Sequence, residues 1–248
     1  MPGPASSLSA YSESVTRIAV PGTHNFRTVE GTCPGSLYRS DALARLPREG
    51  RRMLRSLGIR RVIDLRTGFD RRIGGPDRLR GTGAELVRVP ILSGGIERHP
   101  SALRLDAIYR SLLDEHGAAV GEAVRAIADA PDGGVLVHCT AGKDRSGLVC
   151  ALVQLAIGVP RETVLDDYAQ SESHLAGAWA DRMLGRIRRF RVRPSDELVL
   201  VLTGSPRALM AEMLDRLDDA HGGVEAYLAT AGVGPDVLTA LRARLLEP

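Results

Sequence analysis

Short apolar runs alternate with amphipathic stretches in the first half of the chain. In residues 48–57, apolar side chains recur at helical spacing and Gly58 follows, which predicts a helix that ends there. Residues 61–65 (RVIDL) and 85–89 (ELVRV) are short, rich in β-branched residues and bounded by polar or proline positions. They predict two buried strands.

The middle of the chain carries the clearest pattern. Residues 101–114 and 117–130 predict two helices. A glycine-containing turn then precedes the apolar run 135–137, which predicts a short strand, and residues 146–158 are apolar on nearly every face. A helix of that composition must be buried all round, so we predict that it lies at the centre of the fold.

Beyond Pro160 the pattern is mainly helical. Residues 198–201 (LVLV) are the one run in this part that suggests a strand. From residue 206 onward the chain predicts three short helices, separated by a Gly-Gly and a Gly-Pro pair.

Strands that alternate with helices indicate an α/β fold. We expect a central, mostly parallel sheet of four to five strands, flanked by helices, and a helical C-terminal part over about residues 160–248. Residues 1–17 are rich in Ser, Pro and Ala and predict a flexible N-terminus, with a short strand or docking segment at 18–20. Residues 18–248 are expected to form a single domain.

Composition narrows the class of protein. The net charge of +3 is spread along 248 residues with 4% aromatics, which favours a phosphorylated or acidic partner over nucleic acid. Three cysteines form no even disulfide framework or paired metal-ligand spacing, so a reducing compartment is expected. The N-terminus resembles no signal peptide and no apolar run is long enough to span a membrane. We predict a cytoplasmic protein, with export by a route without a cleaved signal left open.

One loop combines a reactive side chain with a phosphate-binding geometry. Residues 135–147 read VLVHCTAGKDRSG, so Cys139 follows the predicted strand and Arg145 comes six positions later, near the start of the helix. The backbone N–H groups of such a loop can converge on one point, to which the helix adds its N-terminal partial charge. That field favours a phosphate dianion and a thiolate. The guanidinium of Arg145 can donate two parallel hydrogen bonds to phosphate.

This loop resembles the signature of the protein tyrosine phosphatase superfamily. Its Gly-Lys-Asp-Arg variant, together with NFR at 25–27, LYRS at 37–40 and IDLR at 63–66, is similar to the bacterial tyrosine phosphatase and lipid phosphatase-like family. The resemblance spans about residues 24–230 and implies a tyrosine phosphatase-like fold.

The resemblance implies a two-step hydrolysis through a phosphocysteine on Cys139, without metal or cofactor. Arg145 would hold the phosphoryl group, Ser146 would help the thiolate to leave in the second step, and His138 would orient the loop from behind. The remaining phosphate-binding positions would be the loop residues Thr140, Ala141, Gly142 and Lys143.

The general acid implied by the resemblance is Asp144, inside the loop. Other branches of the superfamily use an aspartate on a separate loop, but the corresponding residues 89–95 contain no carboxylate, which leaves Asp64 as the reserve candidate. Asp64 and Arg66 are more simply interpreted as a buried polar pair that supports the site. Lys143, the only lysine of the chain, resembles an extra cation of this branch and would suit a multiply charged substrate.

Three functions compete at this point. The first is a phosphomonoesterase for phosphotyrosine proteins, with dual specificity or phosphoinositides as further substrates. The second keeps the chemistry but acts on a small phosphate ester, such as a nucleotide or sugar phosphate. The third is a non-catalytic phosphate-binding module, against which the intact Cys139, Arg145 and Ser146 argue. The pattern favours no oligomeric state.

Overall fold

The computed structural model describes residues 17–92, 104–189 and 194–247. The expected flexible N-terminus therefore lies, except for Arg17, outside the described residues. Within these ranges, no helix combines the length and the apolar character that crossing a membrane requires.

A five-stranded sheet lies at the centre, in the order β1-β2-β5-β3-β4. Among the five strands of the described residues, β1 and β2 form the single antiparallel pair, so the predicted mostly parallel α/β sheet is confirmed. The carboxyl ends of β3 and β5 lie side by side, with Asp64 opposite His138. The strands are β1 (Arg27–Thr28), β2 (Leu37–Ser40), β3 (Ile59–Asp64), β4 (Glu85–Arg88) and β5 (Gly134–His138).

Strands β1 and β2 were not predicted as strands. Each carries a buried arginine, Arg27 or Arg39, at a position where a strand pattern would show an apolar side chain. Residues 18–20 form no strand: Ile18 donates its N–H to the carbonyl of Phe26, and Val20 docks in the core, as the alternative expectation of a docking segment proposed.

Helices cover both faces of the sheet, and every regular element that the structure describes beyond β5 is a helix. The predicted helices of the first half and the three helices after residue 206 are confirmed; residues 101–103 of one prediction lie outside the described ranges. The helices are α1 (Arg48–Ser56), α2 (Gly68–Gly74), α3 (Leu105–Asp114), α4 (Gly117–Ala128), α5 (Asp144–Ala156), α6 (Arg161–Leu175), α7 (Ala178–Arg189), α8 (Asp196–Thr203), α9 (Arg207–His221), α10 (Val224–Thr230) and α11 (Pro235–Leu246).

The core has two main parts, one on each side of the sheet, and a small third cluster formed by Ala141, Leu175 and Trp179. The larger part surrounds α5, in which nearly every residue is buried, and includes side chains of α3, α4, α6, α9, α10 and α11. The smaller part lies under α1 and includes Phe26, Tyr38 and Leu54. Burying α5 on all sides explains why its sequence has no polar face, and it fixes the loop before α5 relative to the sheet.

The predicted strand at 198–201 is wrong, because these residues lie within helix α8. The side chain of Ser195 accepts a hydrogen bond from the N–H of Leu198, which caps the helix. Asp196 and Glu197 follow in the first turn, where their charges complement the helix dipole. The capping signal and packing outweigh the β propensity of four apolar residues.

Candidate active site

The loop between β5 and α5 forms the floor of the site. Cys139 follows β5 directly and is 1% exposed, and the N–H of Gly142 points at its Sγ atom over 3.3 Å. Gly142 has a φ of 72°, and a Cβ atom there would lie 2.3 Å from the carbonyl oxygen of Ser40. Only glycine fits this turn, since any side chain would collide with the neighbouring strand.

The carbonyl groups of the loop are held from behind. The Asn25 amide donates to the carbonyls of Ala141 and Gly142 over 3.0 and 3.1 Å. The Arg39 guanidinium donates to those of Gly142 and Lys143 over 2.9 and 3.2 Å. Because the C=O and N–H of a planar trans peptide point in opposite directions, anchoring the carbonyls turns N–H groups of the loop toward the opposite side, where the cavity lies.

Asp167 on α6 supports this anchor and was not found from the sequence. Its two oxygens accept from Arg27 over 3.2 Å and from Arg39 over 3.1 Å, and all three side chains are fully buried. Arg27 also donates to the hydroxyl of Ser171. The sequence offered only an indirect signal, namely the arginines of the NFR and LYRS motifs: a buried arginine requires a buried acid, but neither their burial nor the identity of that acid was predicted.

The Arg145 guanidinium is anchored at one end and free at the other. Its Nη1 donates to Asp70 over 2.6 Å and to the carbonyls of Ile91 and Leu65 over 3.3 and 3.4 Å. Its Nη2 donates to the hydroxyl of Thr140 over 3.2 Å. Within the described residues, Nε has no partner. The Nε–H and the second N–H of Nη2 therefore form an unoccupied fork.

Asp70 is the second functional residue that sequence reasoning missed. It lies on α2, directly after the turn that follows β3, and forms a reciprocal cap with Thr67 at the start of that helix. Burial raises the pKa of its carboxyl, but Arg145 and the hydrogen bonds from Thr67 lower it more, so the net shift is downward. The pattern Thr67-x-x-Asp70 after a buried strand was the available signal.

The environment of Cys139 favours its thiolate. Burial raises the pKa of the thiol, yet Arg145 and then the hydroxyl and N–H of Ser146 outweigh that effect, so the pKa lies below its usual value. The Ser146 hydroxyl is buried with no nitrogen or oxygen partner among the described residues. Cys150 gives the contrast, because burial inside α5 raises its pKa to about 11.

Asp144 stands at the rim of the cavity with one oxygen fixed. Its Oδ1 accepts from the Tyr109 hydroxyl and from the Lys143 ammonium, each over 2.9 Å. The Tyr109 hydroxyl also contacts that of Tyr168 over 2.6 Å. Lys143 is 1% exposed and donates as well to the carbonyl of Gly204 over 2.8 Å, so two of its three N–H donors are engaged. The contact between Tyr109 and Asp144 was not predicted from the sequence.

Asp64, Arg66 and His138 lie together below the loop, with Asp77. Arg66 bonds Asp64 over 2.9 Å and Asp77 over 2.8 Å, and His138 Nε2 lies 3.2 Å from Asp77. Burial lowers the pKa of His138, but the two aspartates raise it more. Burial raises the pKa of Asp77, but His138 and Arg66 bring it down to about 2. Asp64 is fully buried in this cluster and is not among the residues that line the cavity above Cys139.

A cavity of about 210 Å³ opens above Cys139. Helices α7 and α8 provide one side of it. Apart from the loop and Asp70, its walls are mainly apolar and include Phe69, Ile73, Ile108, Trp179, Met183, Val201 and Leu202. The site thus combines a cationic floor with walls that suit an aromatic or aliphatic group.

Comparison with known proteins agrees with this geometry. The sequence model of the "Tyrosine phosphatase family" matches residues 18–247. The chain is 31% identical to the triple specificity protein phosphatase PtpB of Mycobacterium tuberculosis, over 92% of this chain and 98% of that protein. It is 30% identical to a tyrosine-protein phosphatase of Nostoc commune, over 85% and 74% of the two chains. The chain therefore belongs to the tyrosine phosphatase family and is a cysteine-dependent phosphatase.

Proposed function

We propose that this protein hydrolyses aryl phosphate monoesters, above all phosphotyrosine in proteins, through a phosphocysteine on Cys139 and without a metal ion. The single observation that carries the proposal is the position of Cys139: its Sγ lies at the base of an apolar cavity, beside the N–H of Gly142 and Arg145. The thiolate, the loop that binds the phosphate and the apolar walls that cover the aromatic ring can therefore act on one aryl phosphate.

In the first step, the Cys139 thiolate attacks phosphorus and the bond from phosphorus to the leaving oxygen breaks. The free Nε and Nη2 fork of Arg145 donates two hydrogen bonds to the equatorial oxygens, whose charge grows in the transition state. Asp144 donates a proton to the leaving oxygen. Because Tyr109 and Lys143 hold its Oδ1, Oδ2 is the oxygen that carries this proton.

In the second step, water attacks the phosphocysteine and the bond from phosphorus to sulfur breaks. Asp144, now a carboxylate, accepts a proton from that water. The sulfur leaves as a thiolate, and the Ser146 hydroxyl stabilises it with a hydrogen bond. Inorganic phosphate departs and the free enzyme is restored.

The walls of the cavity support phosphotyrosine over a sugar or nucleotide phosphate. Apolar residues such as Phe69, Trp179 and Met183 gain by covering an aromatic ring, whereas a sugar would lose its hydrogen bonds to water there. The name of the M. tuberculosis relative, a triple specificity protein phosphatase, supports more than one class of substrate. We propose phosphoserine, phosphothreonine or phosphoinositides as the further substrates of this chain. We propose a cytoplasmic location, which the three free cysteines support.

The test is hydrolysis of phenyl phosphate in the presence of a chelator. Wild type should turn over, Cys139→Ser should be inactive, and Asp144→Asn should lose about 10²- to 10⁴-fold in kcat. Cys150→Ala is the matched control, since it removes a buried thiol that lies outside the cavity, and it should retain turnover. Activity in Cys139→Ser, or none in wild type, would overturn the proposal and favour the binding module.

A further inference from the structure

A second cavity adjoins the active site. It has a volume of about 480 Å³ and shares two lining residues with the catalytic cavity, Gly74 at the end of α2 and Arg186 on α7. Arg45 and Arg78 line it from the other side. Because the two cavities share lining residues, a substrate that places its phosphate on Cys139 can extend toward this second cavity.

The arginines of this second cavity are not neutralised. Within the described part of the chain, the guanidinium groups of Arg45, Arg78 and Arg186 have no hydrogen-bond or ion-pair partner. Arginines elsewhere on the surface behave differently: Arg161 and Arg207 each bind two carboxylates. Three unpaired cations around one concave surface therefore create a local positive potential that an anion would relieve.

The pKa of a neighbouring arginine is consistent with this positive potential. The pKa of Arg182, on α7, is lowered first by burial and then by Arg45 and Arg186, although Asp41 acts in the opposite sense. Asp41 itself is buried and accepts the N–H groups of His24 and Asn25, so it does not face the cavity as a free carboxylate.

We propose that the cavity lined by Arg45, Arg78 and Arg186 is a second anion subsite, which binds an acidic residue that flanks the phosphotyrosine of a peptide substrate. The proposal rests on the proposed function and names its substrate class more closely. A peptide is favoured over a multiply phosphorylated inositol because the catalytic cavity has apolar walls, which suit a tyrosine ring. The open arginine cavity then receives a charge carried by the chain next to that ring.

The experiment compares phosphotyrosine peptides that carry a single glutamate at each flanking position in turn with the same peptides carrying glutamine. In wild type, glutamate at one or more positions should raise kcat/KM about three- to tenfold, the range expected for one or two exposed charge pairs. The double variant Arg45→Gln/Arg78→Gln should bring that ratio close to one. High salt should shrink the ratio in wild type, because exposed charges are screened.

Arg52→Gln/Arg55→Gln is the matched control. It removes two exposed charges from α1, away from both cavities, and should leave the ratio as in wild type. An equal loss in this variant would mean that overall charge, not the subsite, sets the preference, and would overturn the proposal.

The remaining outcomes separate the subsite from the activity on which it rests. If wild type cleaves glutamate and glutamine peptides equally, the subsite is wrong and the proposed function stands. If it cleaves neither, the proposed function fails and the subsite with it. If the double variant instead loses activity only on a soluble inositol polyphosphate, the cavity binds a second phosphate and the peptide assignment is overturned.

Discussion

The two sides of the loop between β5 and α5 differ in how far their polar groups are hydrogen-bonded. On the back, Asn25 and Arg39 donate hydrogen bonds to the loop carbonyls, and Asp167 completes a buried network by binding both Arg27 and Arg39. On the front, the fork of Arg145 is open and Asp144 is 20% exposed. The difference teaches that a loop can keep donors unsatisfied toward a ligand only if its other side is held rigidly, because an unanchored loop would turn those donors to other partners.

Removing the buried countercharge behind the loop should have the largest effect on stability. Asp167→Asn leaves Arg27 and Arg39 buried without a countercharge, so the free energy of unfolding should fall by about 3–5 kcal/mol. Urea denaturation measures this. The neighbouring Asp166→Asn is the control, since Asp166 is 64% exposed and its pair with Arg207 should contribute no more than about 1 kcal/mol. Equal losses in the two variants would contradict a rigid back.

On the front, removing the charge of Asp70 should reduce catalysis more than stability. Asp70→Asn weakens the contact that holds Nη1 of Arg145, so kcat/KM for phenyl phosphate should fall about ten- to a hundredfold through misplacement of the fork. Arg72→Gln, on the exposed side of the same helix, should have little effect. A rise in kcat/KM would show instead that Asp70 competes with the substrate for Arg145.

A smaller effect on catalysis should follow when the side chain of Asp144 is held less firmly. Tyr109→Phe removes one of the two bonds to Oδ1 of Asp144, so hydrolysis of phenyl and alkyl phosphates should slow by about three- to tenfold. A dinitrophenyl ester, whose leaving group needs no proton, should be affected much less. Tyr227→Phe removes another buried hydroxyl, bound to the carbonyl of Leu113, and should leave this leaving-group dependence unchanged. Equal slowing of all esters would mean that Tyr109 is merely structural.

The smallest expected effect is the loss of stability when His138, below the loop, loses its proton. The pKa of His138 is raised above its unfolded value by Asp77 and Asp64, against the effect of burial. Its contribution to stability is therefore complete below about pH 6.5 and is lost as the pH rises through the folded pKa. Urea denaturation of wild type at increasing pH should show this decline, and His138→Gln should lack it. A wild-type stability that rises over the same range would contradict the ion cluster.

The sequence was informative where one segment is self-contained. The strand, loop and helix around Cys139 are contiguous, and α5 reports its burial through its own composition. Residues that reach the loop from elsewhere were harder to find: Asp70, Tyr109 and Asp167 come from three different helices, and only folding brings them together. Local signals also misled at residues 198–201, where a helix cap outweighed an apolar run.

The most direct test of the central claim is to trap the covalent intermediate. Dinitrophenyl phosphate, labelled on phosphorus, makes the first step fast, because its leaving group needs no proton, so the phosphocysteine should accumulate. Wild type mixed with it and quenched within one turnover should carry label on Cys139, with a burst of dinitrophenol no larger than one per chain. The Cys139→Ser variant should show neither. Label on another residue, or steady turnover with no labelled protein and no burst, would contradict the account.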